Sequence, residues 1–437
     1  MKTLEKQTIL TSSSPATPKV WDICVIGGGP AGMMAAGHAA QTGASVILLE
    51  KNSRPGEKLL ITGGGRCNLT NNELDVRTFL KKYKSNDKFL FSAFSQFSVK
   101  DTFAFFHTRR MPTKVEAEGR AFPESNKAES VWKVMTDFIK EKKVTLETNA
   151  IVTKIMTTQK DGQDQVSGVK LKNGKEIFAK KFILATGGTS RPETGSTGDG
   201  FPWVAELGHK IIKSDSALVP VSIKDTWVKK LQGVVVADIK INIFQNNVKQ
   251  DSKKGKILFT HFGLSGPTIL NMSKDIGELL KYGEVEIRLD LLPSLDHGML
   301  NAKLQELFKT DSNKKIKNSL STLVPSAIVT PVIELAGIDP ELKNNSVTKE
   351  MRMKLIDTMK GISMDVSGLL GTDKAIVSSG GVSLEEVDFK TMRSKIITNL
   401  YLIGDVLNID RPSGGYSLQL CWTTGFVAGT NAGINNT

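Results

Sequence analysis

The chain has 437 residues, a formal net charge of +13 and an ordinary 39% of hydrophobic residues. That length exceeds a single compact core and points to two or three domains, and no run of about eighteen apolar residues offers a transmembrane helix. Three cysteines, Cys24, Cys67 and Cys421, with no CxxC pair argue against a disulfide framework and against electron transfer through paired thiols, and they fit a reducing cytoplasm. Residues 1–20 are polar and Ser/Thr-rich without an apolar h-region, so they read as a loose extension rather than a secretory signal.

From residue 21 the texture is β–α–β. An apolar strand runs through Ile26 into Gly27-Gly-Gly29-Pro-Ala-Gly32, which opens an Ala/Met-rich helix, and a second strand from Ser45 to Leu49 ends at Glu50. A glycine triplet of this kind is common alone. Between a strand and a helix, with an acid at the end of the second strand, it is the dinucleotide fingerprint. Gly27, Gly29 and Gly32 permit a tight turn and close approach, so the helix N-terminus can receive a pyrophosphate. Glu50, with Lys51 beside it, can hold the ribose hydroxyls of an adenosine.

The densest segment follows, from Gly56 to Asn71. Gly63, Gly64 and Gly65 give backbone amides room to lie against a flat ring or a phosphate. Arg66 offers a bidentate anion donor, and Asn68 and Thr70 can fix ring oxygens. Cys67 is either a packed residue beside the cofactor or an acid or nucleophile whose thiolate Arg66 would stabilise. Helical patterning then runs from Val76 to His107. Between Val76 and Arg120 ten basic residues stand against four acids, with nine Phe and Tyr residues interleaved. Most of those aromatics belong in a core, yet basic side chains among aromatics also suit a phosphate-bearing polymer.

A second βαβ-like region spans Ala128 to Leu184, with a hairpin (Ile151 to Met156, Val166 to Leu171) turning at Asp161-Gly162 and a further turn at Asn173-Gly174. The strand Phe182 to Thr186 feeds Gly187-Gly188, where the chain returns to the cofactor. From Phe201 alternating stretches (Ala217 to Ile223, Val234 to Ile243, Glu284 to Leu289) suggest a small β-domain, and Pro293 to Lys360 reads as a small Lys/Asn-rich helical bundle. In Thr260-His261-Phe-Gly-Leu-Ser-Gly266-Pro267, His261 sits in a glycine-bounded turn as a candidate proton donor. No Cys/His spacing suits a metal.

Strand, glycine turn, strand and helix return after Val377, so the cofactor domain is discontinuous. Leu400-Tyr-Leu-Ile-Gly404-Asp405 can present Asp405 to a ribityl hydroxyl. Gly414-Gly415 opens a helix from Tyr416 to Ala428, whose N-terminus would favour the negative charge of a reduced flavin. The two chain ends thus carry matching halves of one flavin site, which implies FAD. No second glycine fingerprint follows a strand in the middle of the chain, so an NAD(P)H donor would visit the flavin face transiently.

Several stretches together resemble the BaiN/RdsA (YhiN-type) family of FAD-dependent flavoproteins over nearly the whole chain after residue 20. They are Gly27-x-Gly29-x-x-Gly32, Gly63-Gly-Gly-Arg66-Cys67-Asn68, Gly119-Arg120-Ala-Phe122-Pro123, Ala185-Thr186-Gly187-Gly188 with Gly195-Ser-Thr-Gly198-Asp199-Gly200, Ser378-Ser-Gly380-Gly381-Val382, the His261 turn and Gly414-Gly415-Tyr416. The resemblance implies an α/β fold, with a glutathione-reductase-like Rossmann domain (21–200 and 372–437), a β-barrel insert (201–292 and 361–371) and a helical subdomain (293–360). It also implies NAD(P)H-linked reduction of carbon–carbon double bonds. One branch of the family is associated with dihydrouridine formation in 23S ribosomal RNA, another with bile-acid enones.

Two departures stand out: Gly404-Asp405 replaces the usual Gly-Glu, and Asp410-Arg411-Pro412 replaces Asp-Gly. The expected activity is reduction of uridine in 23S rRNA, with Cys67 and His261 as candidate acids, an RNA partner, no membrane association and no oligomeric state implied. The alternatives are a small-molecule ene-reductase or oxidase, whose charge merely steers an anionic substrate, and a flavin-bound RNA-binding protein.

Overall fold

The computed structural model describes residues 19–212, 218–280, 282–370 and 380–434. Residues 1–18 of the expected extension, Ala217 and Ser378-Ser379 lie outside the described residues.

The first strand, β1 (Val20–Ile26), is a nearly continuous apolar run whose last four residues are buried, as expected for a parallel strand covered on both faces. Beside it lies β2 (Val46–Leu49), itself wholly buried, and the connecting helix α1 (Pro30–Gln41) begins with proline in its first turn. The parallel sheet runs Thr145–Glu147, β2, β1, Glu176–Leu184 and Leu400–Leu402. A hairpin of Val152–Lys160 and Gln163–Leu171 pairs antiparallel with the N-terminal half of Glu176–Leu184. The C-terminal half of that strand pairs with Leu400–Leu402. The far end of the chain is therefore hydrogen-bonded one strand away from β1.

The C-terminal helix, Tyr416–Gly433, is buried on nearly all sides and lies against α1. Glycines recur at every fourth position of its second half. A Cβ on Gly425 would stand 2.6 Å from the Ala31 carbonyl oxygen, and one on Gly429 would stand 2.3 Å from that of Ala35. On its other side α1 presents Gly37, where a Cβ would enter the Phe138 ring. Only glycine and alanine let two backbones and an aromatic ring converge on so thin a helix.

A closed six-stranded antiparallel barrel follows, in the order Val221–Ile223, Gly263–Ser265, Val248–Phe259, Val235–Gln245, Val285–Asp290 and Ile362–Leu369. Helix Pro267–Leu280 packs Ile269, Met272 and Ile276 into the barrel core, which continues into the helices between His297 and Lys360. Lys360 joins the two parts from within, at 2.7 Å from Asp290 and donating to the Leu292 and Leu295 carbonyls. The barrel meets the flavin-side loop through Lys274–Asp410 (3.0 Å) and through Asn271, which accepts from the Ser413 amide at 3.0 Å.

The helix contact gives a sign reversal. In an exposed helix, replacing glycine by alanine gains about 1 kcal/mol. At Gly429 the new methyl meets backbone that cannot step aside, and overpacking of this kind costs roughly 1–3 kcal/mol. G429A is expected to lower the urea midpoint, and G429L to lower it further; a rise in both would contradict the packing.

Candidate FAD cleft

Where the two chain ends meet, the C-terminal ends of the parallel strands open on a cleft of about 880 Å³. Gly27, Gly29, Glu50, Lys51, Thr186, Gly187, Gly404 and Asp405 line it, together with Lys58, Trp203 and Cys421. Gly27 adopts φ +105°, and a Cβ on Gly32 would fall 1.9 Å from the Gly27 carbonyl oxygen. These two glycines are dictated by the turn itself. Gly29 is different: it caps α1 with φ −72°, open to any residue, and a Cβ there would touch no protein atom within 4 Å. Space kept clear for nothing in the protein, at a helix N-terminus, fits a pyrophosphate. The Thr186 hydroxyl, buried on the same wall, has no protein partner.

Glu50 is 6% exposed; its two oxygens accept from the Gly28 and Asn52 amides, each at 2.8 Å. Burial pushes its carboxyl up while those amides oppose the shift. The carboxylate is thus fixed in orientation and keeps lone pairs for ribose hydroxyls. Lys51 points away from that role. Its ammonium donates to Thr197 (2.6 Å) and Asp199 (2.7 Å), and Asn52 donates to the Thr194 carbonyl, so this segment clips the 194–199 loop across the cleft.

The glycine-rich segment forms an adjoining shelf rather than part of the cleft wall. Gly64 and Gly65 have φ of +68° and +82°. Arg66 is already engaged: its guanidinium donates to Glu116 and Asn126 and lies 4.1 Å over the Phe122 ring. With its amide oriented by its neighbours, Asn68 accepts from the Gly415 amide at 3.0 Å and donates to the Thr70 and Ala121 carbonyls. Gly415 approaches Thr70 so closely that a Cβ would sit 2.3 Å from its carbonyl carbon. Asn71 donates to the Gly414 carbonyl, Tyr83 to that of Tyr416 and Trp422 to that of Leu69. The N-terminus of the last helix is thereby riveted to strand Thr70–Asn71 and the two residues before it. Gly188 is buried behind the cleft.

Cys67 corrects an expectation. Its residue is 0% exposed with the cleft open, its φ is +59°, and burial pushes its thiol up to about 12, with Thr62 opposing. Arg66, committed elsewhere, does not stabilise a thiolate there. A sulfur without accessible surface is a packing element. His261 is exposed in the turn between barrel strands, its ring 4.8 Å from that of Phe262.

A model of the HI0933-like protein Rossmann domain matches residues 21–431. The chain belongs to the HI0933-like family. Among relatives, it is 29% identical over 417 residues to a 3-dehydro-bile acid delta(4,6)-reductase of Clostridium scindens, covering 94% of this chain and 98% of that one. It is 28% identical over 410 residues to a ribosomal RNA dihydrouridine synthase of Escherichia coli, covering 93% and 96%. The fold is also that of a flavocytochrome c3 fumarate reductase (TM-score 0.54, 19% identity, 96% of this chain and 79% of that one). A 3-ketosteroid delta1-dehydrogenase from Sterolibacterium denitrificans shares it at a TM-score of 0.53 and 14% identity, covering 95% and 99%. The HI0933-like chain thus carries the FAD-binding Rossmann fold, and its cleft residues suit that cofactor.

Two cations act on Asp405 of this HI0933-like cleft, and sequence reasoning gives neither of them that role. Lys58, on the short helix before the glycine shelf, donates to Ser190 at 2.6 Å and lies 3.5 Å from Asp405. Arg411, 5% exposed, donates to Asp405, to the Ile409 carbonyl and to Ser417. Burial pushes the Asp405 carboxyl up, and the two cations outweigh it, holding it below the usual range. A third constellation, Ser394–His209–Glu386 (2.9 and 3.1 Å), has the connectivity of a hydrolytic triad. Ser394 is 2% exposed and its oxygen accepts from the Ile396 and Ile397 amides, so it serves as a structural clip.

C67A is expected to retain flavin content and turnover. In the native wild type, Cys67 is expected to resist alkylation at mild alkaline pH, as mapped by peptide mass spectrometry. Rapid native labelling of Cys67, with turnover lost in C67A, would restore it as a catalytic candidate.

Proposed function

We propose that this FAD-dependent oxidoreductase uses NAD(P)H to reduce a carbon–carbon double bond, and that its substrate is uridine in 23S ribosomal RNA. The observation that carries the RNA reading is a cationic face. Arg77, Lys81, Lys82, Lys84 and Lys88 are exposed, and none forms an ion pair among the described residues. Tyr83, in their midst, is buried and donates at 2.8 Å to the Tyr416 carbonyl, at the flavin end of the last helix. Unpaired cations are what a phosphate backbone recruits, through counterion release. The aromatics of this segment do not share the role: of nine, only Phe91 is exposed. Reading of the base therefore falls to the active site, on an extruded nucleotide.

FAD, when bound, would supply the hydride chemistry, taking hydride from a nicotinamide and passing it to C6 of the uracil. The chain has to hold the base and protonate C5. We assign the proton to His261, whose ring is exposed, whereas the Cys67 thiol is closed off. Helix Pro267–Leu280, which follows its turn, touches the 410–413 loop. H261N is expected to keep FAD and its reduction by NAD(P)H while losing product formation.

The deciding experiment is mass spectrometry of dihydrouridine in 23S rRNA from a strain with and without this gene. Loss of one dihydrouridine, restored by the wild-type gene, is expected. An unchanged rRNA, with turnover of small enones, would support a small-molecule reductase instead, a reading favoured by the bile-acid reductase relative. The triple variant K81Q/K82Q/K88Q should bind rRNA fragments more weakly, with the salt slope reduced by about two. An unchanged slope would remove this face from binding.

A further inference from the structure

Arg411, which the sequence resemblance marks as a departure, stands in the structure against a carboxylate of the cleft. Asp405 accepts from Arg411 on one oxygen and lies 3.5 Å from the Lys58 ammonium on the other. Two cations share one carboxylate, leaving one positive charge in surplus. Arg411 cannot be the one that faces a ligand: its side chain is 1% exposed and also holds the Ile409 carbonyl and Ser417. Lys58 can, because it lines the cleft and its side chain is 22% exposed.

Its place along the cleft is given by two neighbours. A Cβ on Gly404, the residue before Asp405, would stand 3.1 Å from that of Ala31, in the first turn of α1. Lys58 thus contacts a carboxylate whose preceding residue packs on the first turn of α1, it lines the same cleft as Gly29, and Ser190, 0% exposed, accepts from its ammonium at 2.6 Å. Among the described residues, the other cationic side chain on this wall is Lys51, which pairs with Asp199.

We propose that Lys58 is the charged anchor of the cofactor's pyrophosphate, released for that role because Arg411 neutralises Asp405. Arg411 is then a positioning residue: without it, Asp405 would claim the Lys58 ammonium and face the phosphates with its own charge. This inference does not depend on the substrate, so it stands or falls separately from the RNA reading.

The test is titration of apo-protein with FAD, followed by quenching of flavin fluorescence at low and high salt, with the midpoint potential of the bound flavin measured alongside. K58M is expected to bind FAD about ten- to hundredfold more weakly, the effect of one lost charge-assisted contact. Its affinity should also be less salt-dependent, K58R should recover most of the loss, and the midpoint potential should stay near that of the wild type. R411M should weaken FAD in the same sense. S190A, which leaves the charges in place but releases the ammonium, should cost severalfold and carries the test if K58M does not fold. FAD affinity in K58M or S190A equal to the wild type would overturn the proposal. So would a large negative shift in potential, which would put Lys58 at the flavin ring instead.

Discussion

Where α1 and the C-terminal helix cross, Gly425, Gly429 and Gly433 lie against Ala31, Ala35 and Ala39 at distances that leave no room for a side chain. This approach allows residues about four hundred positions apart to build one cleft. It sets Gly404-Asp405 beside the first turn of α1, and it lets Thr424 accept from the Gly404 amide, while Thr70 of the neighbouring strand donates to Gln419. A wider separation would move the 404–415 segment away from the phosphate-binding turn. The strand pairing of Leu400–Leu402 with Glu176–Leu184 fixes the same segment from the opposite side.

Charge in this protein is sorted by position rather than simply accumulated. Within the cleft each carboxylate is compensated: Glu50 by backbone amides, Glu57 by Arg54, Asp199 by Lys51, Asp405 by two cations. In the 76–88 segment the exposed cations form no ion pair among the described residues, while the aromatics Phe79 and Tyr83 between them are buried. Phe79, Tyr83, Phe94 and Tyr416 form one ring cluster. A single amphipathic stretch therefore supports the last helix from beneath and offers its charge outward.

What the sequence makes legible is local backbone geometry. Gly27 and Gly32 are required by the turn they make, and Asp161-Gly162 takes the left-handed pair of φ values that a two-residue hairpin needs. Features that depend on a distant partner stay hidden. The four-residue glycine spacing of the last helix gains meaning only beside the alanines of α1. Arg411 is visible as a departure, but its target, Asp405, emerges only once the loop folds back. Arg66 and Cys67 look like an anion donor and its thiolate because they are adjacent in sequence; in the fold Arg66 turns outward to Glu116 and Cys67 turns into the core. Ser394, His209 and Glu386 converge from positions whose order suggests nothing.

Both chain ends line one dinucleotide cleft, and a bound cofactor should bridge them. Hydrogen–deuterium exchange of the apo-protein against the FAD-loaded protein tests this directly. FAD is expected to slow exchange together in the Gly27–Gly32 turn and in the Gly404–Tyr416 segment. Protection confined to the N-terminal turn, with the C-terminal segment exchanging as before, would contradict it.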